Sequence, residues 1–325
     1  MSVPAFSDIS KLSNDLLNKD FYHSSAASLE VKSNTPNNVA FKVNGKSTHE
    51  GATSGLLEAK YSDKPTGTIF QFDRFSLHHN FSRSQNPIGF MVEIDQSKKF
   101  LLIFYRRTGL TLTQSWNTIN ALDTKIEISD SIAKGLKAEI LGSFLPATQA
   151  KGAKFNLYFQ QAGFNGRAFF DLLKGPTALV DAVIGQDGFI AGASVGYNVQ
   201  KAAITNYSAA IGFTAPQYTA SISATNNLKV FSAAYYHKVN SQVEAGSKAT
   251  WDSQSGSQVG LEVAAKYRLD PVSFAKLKIN DRGVAAVAYN VLLRPGVTLG
   301  LGASFDTQKL DRATHKIGTS FVFDS

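Results

Sequence analysis

The segment that decides the fold is Gln258-Val-Gly-Leu-Glu-Val-Ala-Ala-Lys-Tyr-Arg268, near the C-terminal end of the chain. Apolar side chains occupy every second position from Val259 to Tyr267, and polar, charged or small ones, including Glu262 and Lys266, fill the positions between. Because successive side chains of a β-strand point to opposite faces, this alternation predicts a strand with one apolar face and one polar face.

The same alternation continues through most of the chain. It is clear in residues 242–251 and 152–160, and from Leu136 onward the sequence consists of such segments, each of about ten residues. None of them is a continuous apolar run long enough for a transmembrane helix. In lipid every backbone N–H and C=O must be paired, which a closed barrel of strands achieves. A soluble β-sandwich alternates too, so the pattern alone leaves the solvent open.

The number of segments favours closure. About nineteen strands are predicted, separated by turn signals such as Gln186-Asp-Gly188 and Arg294-Pro-Gly296. An open sheet of this size curls. If the sheet closes, the resulting barrel has a backbone diameter of roughly 35 to 40 Å, which is too wide for side chains to fill. The predicted strands are 26–34, 38–48, 53–63, 110–117, 120–128, 135–145, 152–162, 164–174, 177–186, 188–199, 202–214, 217–226, 228–239, 241–252, 257–269, 272–280, 283–294, 297–306 and 315–324.

Composition narrows the class of protein. The chain has 325 residues, of which 18% are charged and 43% hydrophobic; this excludes a helical membrane protein and fits a barrel with a polar inner wall. The absence of cysteine excludes a disulfide scaffold and a thiolate zinc site. The net charge is +8, and its lysines and arginines are spread singly along the strands, so we predict no nucleic-acid partner. If these side chains line a pore, their positive charge favours anions in the lumen.

Residues 5–19 form the one convincing helix. Apolar residues recur at helical spacing on one side, and charged residues lie on the other. The apolar positions are Phe6, Ile9, Leu12 and Leu16, and the charged ones are Asp8, Lys11, Asp15 and Lys19. The helix is too short and too charged to cross a bilayer. Two placements remain: a surface helix docked on the fold, or a helix inside a wide barrel with its apolar stripe on the wall.

One block interrupts the alternation. Residues 68–109 are rich in phenylalanine and include an apolar run from Phe100 to Tyr105. The dipeptide Thr-Gly stands just before the block, at 66–67, and again at its end, at 108–109, so that excision joins Gly67 to Leu110. We predict an insertion between the third and fourth strands, either a retained intron or a real loop. Residues 26–67 and 110–325 supply the barrel strands. Together with the helix and the insertion they form a single domain over residues 1–325.

The stretch Tyr267-Arg-Leu-Asp-Pro-Val-Ser-Phe-Ala-Lys-Leu-Lys-Ile-Asn-Asp281 resembles the signature of eukaryotic mitochondrial porins, the voltage-dependent anion channels. Leu277 departs from it, because the family usually has a small residue there. The N-terminal helix, Leu110 to Asn117 and Leu293 to Leu299 also resemble family segments, most closely those of filamentous fungi. The resemblance covers nearly the whole chain.

The resemblance implies an all-β membrane barrel of about 19 strands, the first and last parallel, with the amphipathic helix inside the pore. It implies a voltage-gated, weakly anion-selective channel of the mitochondrial outer membrane that passes ATP, ADP, phosphate and other small solutes. Lys11 and Lys19 match helix lysines associated with nucleotide phosphates. Lys137 lies in a motif also interpreted that way, but on an alternating strand it is equally a lumen-facing cation. Asp8, Ile9 and Asp15 belong to the helix associated with gating.

Two further predictions concern the barrel wall. Lys316, Gly318, Phe321 and Phe323 resemble the C-terminal sorting signal of mitochondrial barrels, with both phenylalanines toward lipid and the glycine allowing the strand to bend. Gln114 lies on the predicted outer face, where many animal members have a glutamate. Partner binding that depends on that carboxylate should therefore not be carried over.

Other functions find less support in the sequence. No nucleophile, base and acid stand out together, so we predict no catalytic residues, no cofactor and no enzyme. His78 and His79 would point apart on a strand, so no metal site is predicted. The alternatives kept open are a preprotein-import pore of the same fold and a soluble β protein that binds a lipid or peptide. Membrane lipid and permeant anions are the expected partners, with self-association in the membrane left open.

Overall fold

The computed structural model describes residues 3–36, 39–62, 90–95, 98–102, 110–118, 120–130, 133–173, 175, 177–254, 256, 258–309 and 315–324. A sheet of 19 strands contains all of the predicted segments. Numbered along the chain, the strands are β1 (Ala27–Asn34), β2 (Val39–Ser47), β3 (Thr53–Ser62), β4 (Phe90–Asp95), β5 (Lys98–Leu102), β6 (Leu110–Asn117), β7 (Leu122–Ser129), β8 (Leu136–Leu145), β9 (Ala150–Gln161), β10 (Phe164–Asp171), β11 (Thr177–Gln186), β12 (Phe189–Asn198), β13 (Ala203–Thr214), β14 (Tyr218–Thr225), β15 (Val230–Lys238), β16 (Val243–Asp252), β17 (Gly260–Asp270), β18 (Ser273–Asn280), β19 (Val284–Arg294), β20 (Val297–Asp306) and β21 (Lys316–Asp324).

The sheet is a closed barrel. Each barrel strand pairs antiparallel with the next along the chain, and the circle closes where β1 pairs parallel with β21, from Ala27 opposite Thr319 to Lys32 opposite Asp324. This confirms the predicted strand number and the parallel first and last strands. An odd number of alternating strands requires such a seam, because the first and last strands then run in the same direction.

The two faces of the wall differ as the alternation predicted. On β17 the side chains of Leu261, Val263 and Tyr267 are exposed on the outside of the barrel. Glu262 and Lys266, at the positions between, face inward beside Lys248 and Lys276, their partners in the ladder. Such a wall suits a barrel in lipid, where the outer band is apolar and the inner surface polar.

Short hairpins connect the strands. At the turn between β11 and β12, Asp187 and Gly188 have φ angles of 52° and 89°, and the flanking Gln186 and Phe189 are paired. A two-residue turn with both φ angles positive matches the right-handed twist of the strands it joins, and Asp-Gly is a preferred sequence for it.

The insertion leaves the ladder intact. β3 pairs directly with β6, from Leu56 opposite Asn117 to Ser62 opposite Thr111. Within residues 68–109, β4 and β5 form a separate two-stranded sheet. The rest of that block lies outside the described residues, and its origin as a retained intron stays a prediction.

The predicted helix at 5–19 is divided. A 3-10 turn spans Phe6–Asp8, an α-helix, α1, spans Lys11–Asn18, and a second 3-10 turn spans Tyr22–Ser24. No helix among the described residues has the length and apolarity needed to cross a membrane. We call residues 3–25 the N-terminal segment.

Candidate functional site: the barrel lumen and its N-terminal segment

The N-terminal segment lies inside the barrel, against the inner wall. Apolar contacts hold it at three places along its length. Val3 and Ile9 pack on Val183, Ile190 and Ala210. Farther along, Leu16 and Leu17 pack on Ala264 and Tyr236, and Phe21 packs on Ala286 and Ala288. The segment therefore spans the inner faces of β11 to β19, which decides between the two predicted placements in favour of the interior.

Helix α1 presents a different stripe to the wall from the predicted one. Leu16 and Leu17 are 3% and 0% exposed, and Ser13 is 1% exposed, so the buried stripe follows the i, i+3, i+4 spacing from Ser13. Leu12, predicted to face the wall, is 46% exposed toward the lumen. That part of the prediction is wrong, whereas the buried positions of Ile9 and Leu16 are confirmed.

Two lysines of the wall reach the helix. Lys276 of β18 donates hydrogen bonds from Nζ to the carbonyl oxygens of Lys19, at 2.7 Å, and Asp15, at 3.1 Å. Lys248 of β16 donates from Nζ to Oδ1 of Asn14 at 3.2 Å. The helix is thus attached by polar contacts as well as apolar ones.

The end of the N-terminal segment rests on glycines. A Cβ at Gly318 would lie 2.1 Å from the carbonyl oxygen of Tyr22 and 2.2 Å from that of Ser25, and one at Gly300 would meet the Tyr22 ring. Asn290 donates a hydrogen bond to the Tyr22 hydroxyl. We call the surface formed by Gly300, Gly302 and Gly318 the glycine seat. Gly318 thus permits close approach of the N-terminal segment, a contact that the sequence prediction of a strand bend did not include.

Burial and charge act on the titratable groups at this seat. Burial lowers the pKa of His23, and the neighbouring Lys278, Lys316 and His49 lower it further. Burial raises the pKa of the Tyr22 hydroxyl, against the opposing effect of the Asn290 hydrogen bond. Both shifts favour the neutral form, so His23 and Tyr22 add no charge of their own at neutral pH.

The opposite part of the wall carries a charged cluster. Nζ of Lys137 lies 2.7 Å from carboxylate oxygens of both Glu127 and Glu139, and Nζ of Lys125 lies 2.9 Å from Glu127. The Tyr158 hydroxyl donates to Glu139 at 2.9 Å. Two lysines and two buried glutamates make this cluster neutral overall. Among the described residues no group of His, Cys, Asp and Glu is arranged to hold a metal ion.

Comparisons with known proteins cover the whole chain. The family model of eukaryotic porins matches residues 2–318. The chain is 65% identical to the mitochondrial outer membrane protein porin of Neurospora crassa over the full length of both. This chain belongs to the eukaryotic porin family. It is also 46% identical to the mitochondrial outer membrane protein porin of Candida albicans over 99% of each chain, and 36% identical to the non-selective voltage-gated ion channel 1 of Saccharomyces cerevisiae over 100% of each.

In this porin the predicted lysines of the helix face the lumen. Lys11 and Lys19 are both exposed, and Nζ of Lys11 lies 4.0 Å from Oδ1 of Asp8. Asp15 is half-buried, and its backbone carbonyl accepts from Lys276. The structure does not bring Lys137 to the helix lysines. It places Lys137 between two glutamates, so that cation acts with their negative charge rather than alone.

The predicted outer residues of the porin wall lie on the outer face. Phe321 and Phe323 alternate with Gly318 and Lys316 along β21, and Phe321 is 40% exposed on the outside. Gln114 shares its face with Trp116, which is 53% exposed. The role of β21 in sorting stays a prediction.

The sequence signature around Leu277 includes a lumen residue, Lys276, whose role the sequence did not reveal. Leu277 is 52% exposed on the outer face, so the departure from the family signature adds bulk outside and leaves the inner wall unchanged. Its neighbour Lys276, 3% exposed, was included in that signature without a role. Alternation places Lys276 on the inner face but does not identify what it contacts.

Proposed function

We propose that this porin is a voltage-gated, weakly anion-selective channel of the mitochondrial outer membrane. ATP, ADP, phosphate and other small hydrophilic metabolites are its proposed permeants. The observation that carries the proposal is a closed 19-strand barrel with a polar inner wall and an amphipathic segment lying on it. This arrangement occurs in a chain 65% identical along its length to a mitochondrial outer membrane porin.

The selectivity follows from charge. A polar lumen with a net positive field raises the local concentration of anions, and this requires no discrete binding site. Clusters such as Lys125, Lys137, Glu127 and Glu139 contribute little net charge, because they are internally neutral. We therefore assign a share of the anion preference to Lys11 and Lys19, which lie exposed on the N-terminal segment.

The voltage dependence requires a charged element with two positions. A unit charge that crosses 100 mV gains or loses about 2.3 kcal/mol, so a few charges suffice for a steep response. The N-terminal segment carries Lys11 and Lys19 together with the acidic Asp8, Asp15 and Asp20, which leaves one net negative charge, and it is held to the wall by non-covalent contacts. We propose it as the moving element.

The test is charge reversal on the helix. We expect Lys11→Glu combined with Lys19→Glu to move the reversal potential in a salt gradient toward that of a cation-selective pore. Lys11→Arg with Lys19→Arg, which keeps the charge, is the matched control and should leave the reversal potential unchanged. An unaltered reversal potential in the glutamate variant would contradict the assigned roles. Retention of the parent chain in the membrane pellet after carbonate extraction separates the channel from a soluble binding protein.

A further inference from the structure

Lys276 has an unusual environment for a lysine. Its side chain projects from β18 into the space under helix α1 and is 3% exposed. Its Nζ lies 2.7 Å from the carbonyl oxygen of Lys19 and 3.1 Å from that of Asp15. The ammonium also lies 5.0 Å from the centre of the Phe21 ring. A buried ammonium is costly unless it is hydrogen-bonded, and these groups supply the compensation.

The two acceptors are at the C-terminal end of the helix. The helix dipole gives this end a partial negative charge, and carbonyl groups beyond the last turn have no partner within the helix. The Asp15 carbonyl already accepts the backbone N–H of Lys19 at 3.0 Å, so Lys276 adds a second bond there and supplies the charged donor at the Lys19 carbonyl. α1 ends at Asn18, so the carbonyls of Asp15 and Lys19 belong to its last turn and its cap. A cation from the barrel wall therefore completes the helix from outside it.

This contact differs from the other attachments of the N-terminal segment. Leu16 and Leu17 hold the helix by apolar packing, and Lys248 holds it through one side chain, that of Asn14. Only backbone atoms accept the two bonds from Lys276, so side-chain rotation at positions 15 and 19 does not release them. Just beyond, Asp20 adopts a φ of 61°, and the chain turns toward the glycine seat.

We propose that Lys276 is the positioning residue that fixes the C-terminal end of helix α1 to the barrel wall and thereby sets the voltage at which the N-terminal segment leaves it. The second part of this inference rests on the proposed function. Hydrogen bonds to a charged donor are stronger than neutral ones, and loss of both leaves the helix held by its apolar stripe and by the single bond from Lys248 to Asn14.

Lys278 provides a matched control on the same strand. It also faces inward, and its Nζ lies 5.1 Å from the centre of the same Phe21 ring. Among the described residues, it donates no hydrogen bond to the helix backbone. Lys276→Met and Lys278→Met therefore remove the same charge from nearly the same place, and only the first removes the bonds to the helix.

The experiment follows the helix directly and through conductance. Because the chain has no cysteine, a spin label at Asn18→Cys reports on α1 alone. In the reconstituted barrel we expect Lys276→Met to raise the mobile fraction of the label about tenfold and to lower the half-closing voltage. Lys278→Met should leave the mobile fraction unchanged, and Lys276→Arg, which keeps charge and donors, should restore most of the immobile signal.

The outcomes separate the two claims. A label as immobile in Lys276→Met as in the parent, with the barrel folded, overturns the positioning role. Equal effects in Lys276→Met and Lys278→Met assign the change to lumen charge and overturn it as well. A parent chain that shows no voltage-dependent conductance refutes the proposed function, while the label comparison still decides whether Lys276 holds the helix.

Discussion

The inner surface of the barrel has two unlike parts. From β11 to β21 the wall under the N-terminal segment carries small neutral residues such as Ala264, Ala286 and Gly318 at the points of closest contact, between lysines that bond to the segment, Lys248 and Lys276. On β1 to β3 and β6 to β9, the open wall, long charged side chains face the lumen in clusters, and Glu30 lies 2.8 Å from Lys32 and 3.0 Å from Lys42. A second layer of protein needs short side chains beneath it, whereas a wall facing water needs charge or polarity.

The covered part contains a sector without charge. Strands β12, β13 and β14, which span Phe189–Asn198, Ala203–Thr214 and Tyr218–Thr225, include no Asp, Glu, Lys or Arg. The apolar start of the N-terminal segment lies against this sector, at Ile190 and Ala210. The absence of charged residues from these strands therefore marks the part of the wall against which the start of the N-terminal segment packs.

The largest effect is expected at the glycine seat. Gly318→Ala places a methyl group 2.1 Å from a backbone oxygen, so the segment or the strand must move, at a cost of about 3 kcal/mol in the free energy of unfolding. Gly142→Ala on the open wall strand β8 has no atom within 4 Å of the added carbon and should be neutral or slightly stabilising. Denaturant unfolding of both refolded barrels measures the difference, and equal stabilities would show that the seat is not tightly packed.

The next effect concerns the two faces of α1. Leu17→Ala empties a fully buried site, and we expect it to weaken the attachment of the helix by about 2 kcal/mol. Leu12→Ala truncates a side chain that is 46% exposed and should change the attachment by less than about 0.5 kcal/mol. The temperature at which a spin label at Asn18→Cys becomes mobile measures the attachment of the helix in both variants. A larger decrease for Leu12→Ala than for Leu17→Ala would instead support the apolar stripe predicted from the sequence.

The smallest effect is expected on the open wall. Glu139→Gln removes one negative charge from a neutral cluster, leaving Lys125 and Lys137 to share Glu127, so the reversal potential should shift modestly toward stronger anion selectivity. The stability cost should be about 1 kcal/mol, because the lysines remain partly in water. Adding Lys137→Gln should return the reversal potential to that of the parent. A shift that persists in the double variant would mean that the cluster is not electrostatically self-contained.

The sequence predicts the wall better than it predicts the lumen. Alternation assigned Gln114 and Phe321 to the outer face correctly, because a period of two holds whatever the neighbouring strand is. The helical spacing failed at Leu12, because it predicts one continuous helix over 5–19. The chain instead changes from a 3-10 turn at Phe6–Asp8 to an α-helix at Lys11, and the buried stripe shifts by one position.

The contacts of the lumen could not be predicted because they join distant parts of the chain. Lys137 and Glu139 share a face of β8, but Glu127 joins them only when β7 and β8 adopt their register, with Glu127 opposite Glu139. Lys276 binds carbonyls 261 and 257 residues away. Every residue has a carbonyl, so no pattern of side chains marks the ones that accept.

The parallel seam between β1 and β21 has a consequence for the time course of folding. Apart from β3 and β6, which the insertion separates, every other neighbouring pair of barrel strands follows directly along the chain, whereas Ser28 bonds to Thr319 across 291 residues. Contacts between such remote positions form slowly, because the entropy of closing the loop is lost before any bond compensates for it. Until β21 arrives, both terminal strands expose unpaired backbone groups that invite pairing with other chains. The last nine-residue strand, Lys316–Asp324, is therefore the step at which a nearly finished barrel either closes on itself or aggregates.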